Sequence, residues 1–335
     1  MSAFFVLALA IAVTNVVLVG LILVTRAWTV RRARRHDELV ARLRRPAVEL
    51  IECDPGFSPP VLRGGEARVF AEVLARYSHH LRGGAPEQIV AYFEDHGLVD
   101  EQLRRLARRR SWQRASAAFT LGDMGARRAI PALVARLDDR SPDVRAAACR
   151  SLGHLGAVDA VAPIITAGVE RTVPGPVARL ALLDIGPDAV PTVLRLVDHA
   201  EPRIRAAAVQ ITGLLGDAHD AAAILGRLSD PAAQVREATA AALGRLGAAE
   251  ACDDLVALLE DRVPGVRTAA AEALGAIGGR HTTDALLPLA RDDLFEPARA
   301  AAEAIARTDP ALAVKAAAEP DAGPHLREAA GRLML

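Results

Sequence analysis

Val144-Arg-Ala-Ala-Ala-Cys-Arg-Ser-Leu-Gly-His-Leu-Gly156 is the stretch that decides how the rest of this chain is read. Val144, Ala148, Leu152 and Leu155 fall on one face of a helix. Gly156 suits the left-handed position that ends such a helix. The inner glycine, Gly153, and the alanines leave room for a neighbouring helix to come close. The closing glycine recurs at Gly125, Gly156, Gly186, Gly216, Gly247 and Gly278, at intervals of 31, 30, 30, 31 and 31 residues. A period of that size belongs to stacked supersecondary units and not to one globular core.

Five of these glycines close the same phrase: Leu121-Gly-Asp-Met-Gly125, Leu152-Gly-His-Leu-Gly156, Thr212-Gly-Leu-Leu-Gly216, Leu243-Gly-Arg-Leu-Gly247 and Leu274-Gly-Ala-Ile-Gly278. Eleven residues before each stands an arginine: Arg114, Arg145, Arg205, Arg236 and Arg267. A second apolar helix follows, as in Cys252-Asp-Asp-Leu-Val-Ala-Leu-Leu259. Pro131, Pro163 and Pro191 lie near the starts of these second helices, where a missing N–H does least harm. Turns containing Asp139, Asp230 and Pro264-Gly265 then break the chain. Each unit therefore reads helix, glycine turn, helix, polar turn.

The pattern resembles HEAT repeats, in the short form named after phycobilisome lyases, over about residues 112–309, with a partial unit near Leu326–Leu333. The resemblance implies an all-α fold, a right-handed solenoid of about seven helix pairs. Asp139, Asp230 and Asp261 each precede their unit's arginine by six residues. That is the family's spacing for an aspartate–arginine ladder, in which a guanidinium bridges a carboxylate and turn carbonyls. Arg114, Arg145, Arg205, Arg236 and Arg267 are accordingly read as structural. The third unit departs from the pattern: Gly175 stands for the arginine, Leu183 for the inner glycine, and Pro174 and Pro176 flank the helix start. In the seventh unit Arg299 is one residue out of register, and no glycine closes the helix.

Ahead of the repeats the sequence divides into an apolar segment (1–25), a basic helix (26–50), a Pro- and Gly-rich linker (51–65) and a helical cap (66–110), followed by the solenoid (111–335). Ala3–Val24 carries no charge and is long enough to cross a bilayer as a helix. It is followed by Arg26, Arg31, Arg32, Arg34, Arg35, Arg42, Arg44 and Arg45. This predicts a single-pass anchor of the cell membrane, with the N-terminus outside and the repeats in the cytoplasm. Trp28, Arg31, Arg32, Arg34 and Arg35 are candidate membrane contacts. So are Arg104, Arg105 and Arg108, which with Arg109 form a stripe facing anionic lipid head groups. Asn15, mid-span, is a candidate for bonding another transmembrane helix.

The formal charge is zero but unevenly placed: residues 1–115 carry 18 arginines against 12 acids, and the rest is acidic. A nucleic-acid binder would carry its basic footprint on the repeats, so that class is excluded. Cys53, Cys149 and Cys252 are scattered and form no metal or disulfide spacing. Deoxyhypusine hydroxylase, built from similar repeats, holds two irons through His-Glu dyads, and no histidine here is followed by glutamate. His219, Glu250 and His281 share one register but stand on successive units, about 10 Å apart. No phosphate loop, nucleophile elbow or catalytic carboxylate pair is found.

The expectation is a non-enzymatic scaffold without cofactors that holds a membrane-associated protein partner. The second helices, which line the concave face in the family, present Glu250, Asp253, Asp254 and Asp284 as its candidate docking site. Resemblance to membrane-anchored HEAT proteins points to a membrane glycosyltransferase as partner. The alternative is an enzyme or chromophore-handling protein of the bilin-lyase type.

Overall fold

The computed structural model describes residues 2–51, 62, 65–78, 87–291 and 294–334, with some side chains inside the helices left out. Among these residues every regular element is helical. The chain divides into two compact units: one of residues 1–104 with 123–126, the other of 105–122 with 127–335.

In the first unit α1 (Ser2–Ile51) runs unbroken through the boundary expected near residue 25 and carries Pro46 in its last turns. Its C-terminal part buries Leu43, Ala47 and Leu50. It packs against α2 (Gly65–Ser78) and α3 (Glu87–Asp95). The core there is aromatic: Phe70, Tyr92 and Phe93 are buried, and the Phe70 and Tyr92 rings meet edge to face at 5.2 Å. Arg42 of α1 pairs with Glu66 of α2. The linker expected at 51–65 lies almost wholly outside the described residues.

The expected membrane anchor is corrected. Among the described residues no helix is long and apolar enough to cross a membrane. The positions named for the span lie in α1. The side chains before Leu18, Asn15 among them, lie outside the described residues. The single-pass topology and the cytoplasmic placement of the repeats lose their basis.

After α4 (Leu98–Leu106) the helices alternate long and short. The long ones are α5 (Ser111–Asp123), α7 (Pro142–His154), α9 (Gly175–Ile185), α11 (Pro202–Leu215), α13 (Ala233–Leu246), α15 (Pro264–Ile277) and α17 (Phe295–Thr308). Between them lie α6 (Ile130–Val134), α8 (Val161–Val169), α10 (Val190–Leu194), α12 (Ala221–Leu225), α14 (Cys252–Ala257) and α16 (Arg280–Leu289). Two further helices, α18 (Pro310–Ala317) and α19 (Pro324–Leu333), close the chain. A 3-10 turn leads into most of the short helices, and Pro131 and Pro191 sit at the second positions of α6 and α10. Long helices pack on long helices: α7 on α9, α11 on α13, α13 on α15 and α15 on α17.

The closing glycines do two different jobs. Five of the six have positive φ, for example Gly247 at 68°. Gly216 does not: its φ is −77°, and what excludes a side chain is space, since a Cβ would lie 2.6 Å from the Thr212 carbonyl oxygen. The inner glycines also serve close approach. A Cβ at Gly213 would stand 2.7 Å from the Cα of Ala242, and one at Gly244 would stand 2.7 Å from the Cα of Ala273. Leu183 holds this position in the third unit, and there the pattern fails. α9 barely touches α11, which leans on α8 instead, and Leu183 stays 41% exposed. A leucine branch cannot enter a gap sized for a glycine hydrogen.

Candidate functional site

Three arginines are held identically. Arg114 donates Nε and Nη2 to the two carboxylate oxygens of Asp139 at 2.8 and 2.7 Å, and Nη1 to the carbonyls of Arg108 and Arg109. Arg205 does the same with Asp230 at 2.9 and 2.8 Å and with the carbonyls of His199 and Ala200. Arg236 takes Asp261 at 2.8 and 3.0 Å and the carbonyls of Asp230 and Pro231. Each guanidinium thus grips the turn before its own helix and the carboxylate of the next turn, 25 residues on. The aspartates also accept the amides of Ser141, Ala232 and Val263, which shapes the turns.

The residue 25 on from Arg145 is Glu170, and the one 25 on from Arg267, Asp292, lies outside the described residues. Arg145 donates to the carbonyls of Asp139 and Thr172, and Arg267 to that of Asp261. In the third unit both members are missing: Gly175 replaces the arginine, and Ala200 stands where its aspartate would be.

The pairs shift the aspartate ionisation downward. The Arg114 hydrogen bond holds the Asp139 carboxyl below the usual carboxylate range, against the opposing effect of burial. Burial disfavours ionisation of Asp230 and Asp261, but bonds from Arg205 and Arg236 and from the turn amides outweigh it, so both are depressed too. A depressed folded-state pKa stabilises the fold above the unfolded value, and that contribution is lost as pH falls through the folded one. Resistance to urea, followed by circular dichroism, should therefore hold from pH 7 to about 5 and then drop as pH falls below about 4. A flat profile down to pH 3 would contradict the ionised ladder.

Glu250, Asp253, Asp254 and Asp284 are all exposed. They lie in the turn before α14, on α14 and on α16, two helices that touch. No side chain among the described residues pairs with any of the four. Among the described residues no three or more His, Cys, Asp or Glu side chains gather closely enough to hold a metal ion. His219 points to solvent, with Nδ1 3.3 Å from the capping Asp217. The side chains of His281, His79 and His80 lie outside the described residues, as does Cys53. Burial pushes the Cys149 thiol up to about 12 and raises that of Cys252, where Asp253 and Glu250 add to the effect. Both thiols stay protonated at neutral pH and are poor nucleophiles.

The residues named as membrane contacts are divided between the two units. Trp28, Arg31, Arg34 and Arg35 are exposed on α1, and the Arg32 side chain lies outside the described residues. Arg104 belongs to the first unit, while half-buried Arg105 and exposed Arg108 belong to the second. Not singled out from the sequence were Arg110, Arg140 and Arg171, exposed on the polar turns of the first three units, and Trp112, exposed in the first turn of α5. The 31-residue step from Arg109 to Arg140 is the signal that could have found them.

Residues 101–186 and 222–306 match the model of HEAT repeats, together just over half of the chain. The chain belongs to the HEAT-repeat family. No curated protein matches it. Among solved structures it is similar to human deoxyhypusine hydroxylase, at 23% identity over 81% of this chain and 97% of that one, with a TM-score of 0.33. It is also similar to the complex of CpcE and CpcF of phycocyanin lyase from Nostoc sp., at 23% identity, 66% and 81% coverage and a TM-score of 0.32. YibA of E. coli gives 17% identity, 72% and 97% coverage and a TM-score of 0.40.

Such scores carry no argument for a particular reaction. They do correct the expectation of a non-enzymatic chain. HEAT-like folds occur in proteins described as a hydroxylase and a lyase, so this HEAT architecture gives no ground for excluding catalysis.

Proposed function

We propose that this HEAT protein is a scaffold that binds a basic protein partner through the face formed by its short helices. HEAT repeats commonly mediate contacts between proteins, and a stack of units offers an extended surface to do so. The observation that supports the placing of the site is the set Glu250, Asp253, Asp254 and Asp284. Four exposed carboxylates from neighbouring units stand without cationic partners among the described residues. Their mutual repulsion is relieved when a basic surface docks.

Reversing all four to lysine should reduce recovery of the partner about tenfold or more in co-purification from the native cell, and raised salt should weaken capture by the unaltered protein. The fold should survive, because exposed charge changes usually shift stability by less than about 0.5 kcal/mol. Equal recovery of the same partners by both folded proteins at low salt would mean that this surface is merely solvated.

A further inference from the structure

The polar turns of the first three repeats carry charge of the opposite sign, and they are tied to one another. Arg114 holds the carbonyls of Arg108 and Arg109 and the carboxylate of Asp139. Arg140 reaches back to the Arg109 carbonyl at 3.3 Å. Arg145 joins the Asp139 carbonyl to that of Thr172. Backbone bonds from Arg108 to Arg105 and from Gln113 and Arg114 to Arg110 fix the first turn further. The main chain of this edge is held in place, while its outward side chains stay exposed.

Those side chains are Arg108, Arg109, Arg110, Arg140 and Arg171, all exposed, together with Trp112 at 63% exposure. Among the described residues none of the five guanidinium groups makes an ion pair. Arg171 has φ 59°, the one positive value at a described non-glycine residue. That conformation is strained for an L-residue. The acids beside the edge are exposed Asp138, Asp143 and Glu170, and Asp139 is already taken by Arg114. The arginines outnumber the free acids. The matching turns of later units are more acidic, with Asp198, Glu201 and Glu260 against Arg203 and Arg262.

We propose that this edge docks an acidic, extended segment of a partner protein. Its carboxylates would meet guanidinium groups on successive turns, spaced about 10 Å apart as the helices are. Trp112 would supply the apolar contact that anchors such a segment. A protein segment fits better than a nucleic acid. The basic run covers only three turns and gives way to acidic ones, whereas a phosphate backbone needs a continuing basic footprint. This surface is separate from the acidic short-helix face, and either proposal can fail without the other.

The test uses the full chain and a fluorescent deca-glutamate peptide, read by anisotropy. Binding should weaken about tenfold between 50 and 300 mM salt. The variant carrying Arg108→Glu, Arg109→Glu and Arg140→Glu should lose about tenfold or more in affinity, and Trp112→Ala about threefold. A control reversing Arg195, Arg203 and Arg262, exposed on later units, should bind as the wild type does. Should the reversed protein fail to fold, Arg→Gln at the same three positions is expected to show a smaller loss in the same direction. Equal binding by the edge variants and the wild type would overturn the proposal. So would tighter binding of a ten-nucleotide single strand than of the acidic peptide.

Discussion

Asp230→Ala is expected to cost about 3–5 kcal/mol of unfolding free energy, the penalty for stranding a buried charge. The Asp230 side chain is 1% exposed and receives both ends of the Arg205 guanidinium and the Ala232 amide. Once it is gone, Arg205 keeps the carbonyls of His199 and Ala200 but has no carboxylate. Asp198, on the surface with a single contact to Arg227, is the internal control, and its alanine variant should lie within about 0.5 kcal/mol of wild type. Removing both members of the buried pair with apolar replacements should cost less than removing the aspartate alone, because no unpaired charge remains. Urea unfolding of the three proteins at pH 7 separates these outcomes. A loss below about 1 kcal/mol for Asp230→Ala would mean that water reaches the guanidinium and that the ladder contributes little.

Gly213→Leu is expected to destabilise the repeats by about 3 kcal/mol, the upper part of the range for overpacking. Its Cβ would come 2.7 Å from both the Cα and the Cβ of Ala242 on the next long helix. Backbone cannot swing aside as the end of a side chain can, so α11 and α13 must separate. The third repeat displays the outcome: Leu183 occupies the equivalent place, and α9 has little contact with α11. Gly247→Ala tests a different cost, since nothing lies within 4 Å of its Cβ and only φ of 68° opposes the change. About 1 kcal/mol is expected there. Thermal unfolding that ranks Gly247→Ala as the more damaging of the two would show that the inner glycines are not contact positions.

The repeats were legible because each signal is local and recurs. Apolar spacing marks the helices, proline their starts and glycine their ends, and a 31-residue period makes every copy evidence for the others. The N-terminal segment had no such redundancy. Its apolar run suggested a membrane span, which no helix among the described residues bears out. The functional surfaces were harder still. Glu250, Asp253, Asp254 and Asp284 could be placed on one side by helical phase, while Arg140 and Arg171 looked like ordinary turn residues.

By itself the sequence determined the units, their order and the residues at their ends, since helix periodicity and turn chemistry act within a few neighbouring residues. It also marked the third unit as irregular through Gly175 and Leu183. Only the tertiary structure decided which aspartate each arginine takes, because that choice depends on how one turn lies above the next. Arg236 takes only the backbone carbonyl of Asp230 in its own turn and gives its carboxylate bonds to Asp261, 25 residues later. Stacking likewise decided that Arg108, Arg109 and Arg110 share an edge with Arg140 and Arg171. Hydrogen bonds between successive turns set that alignment.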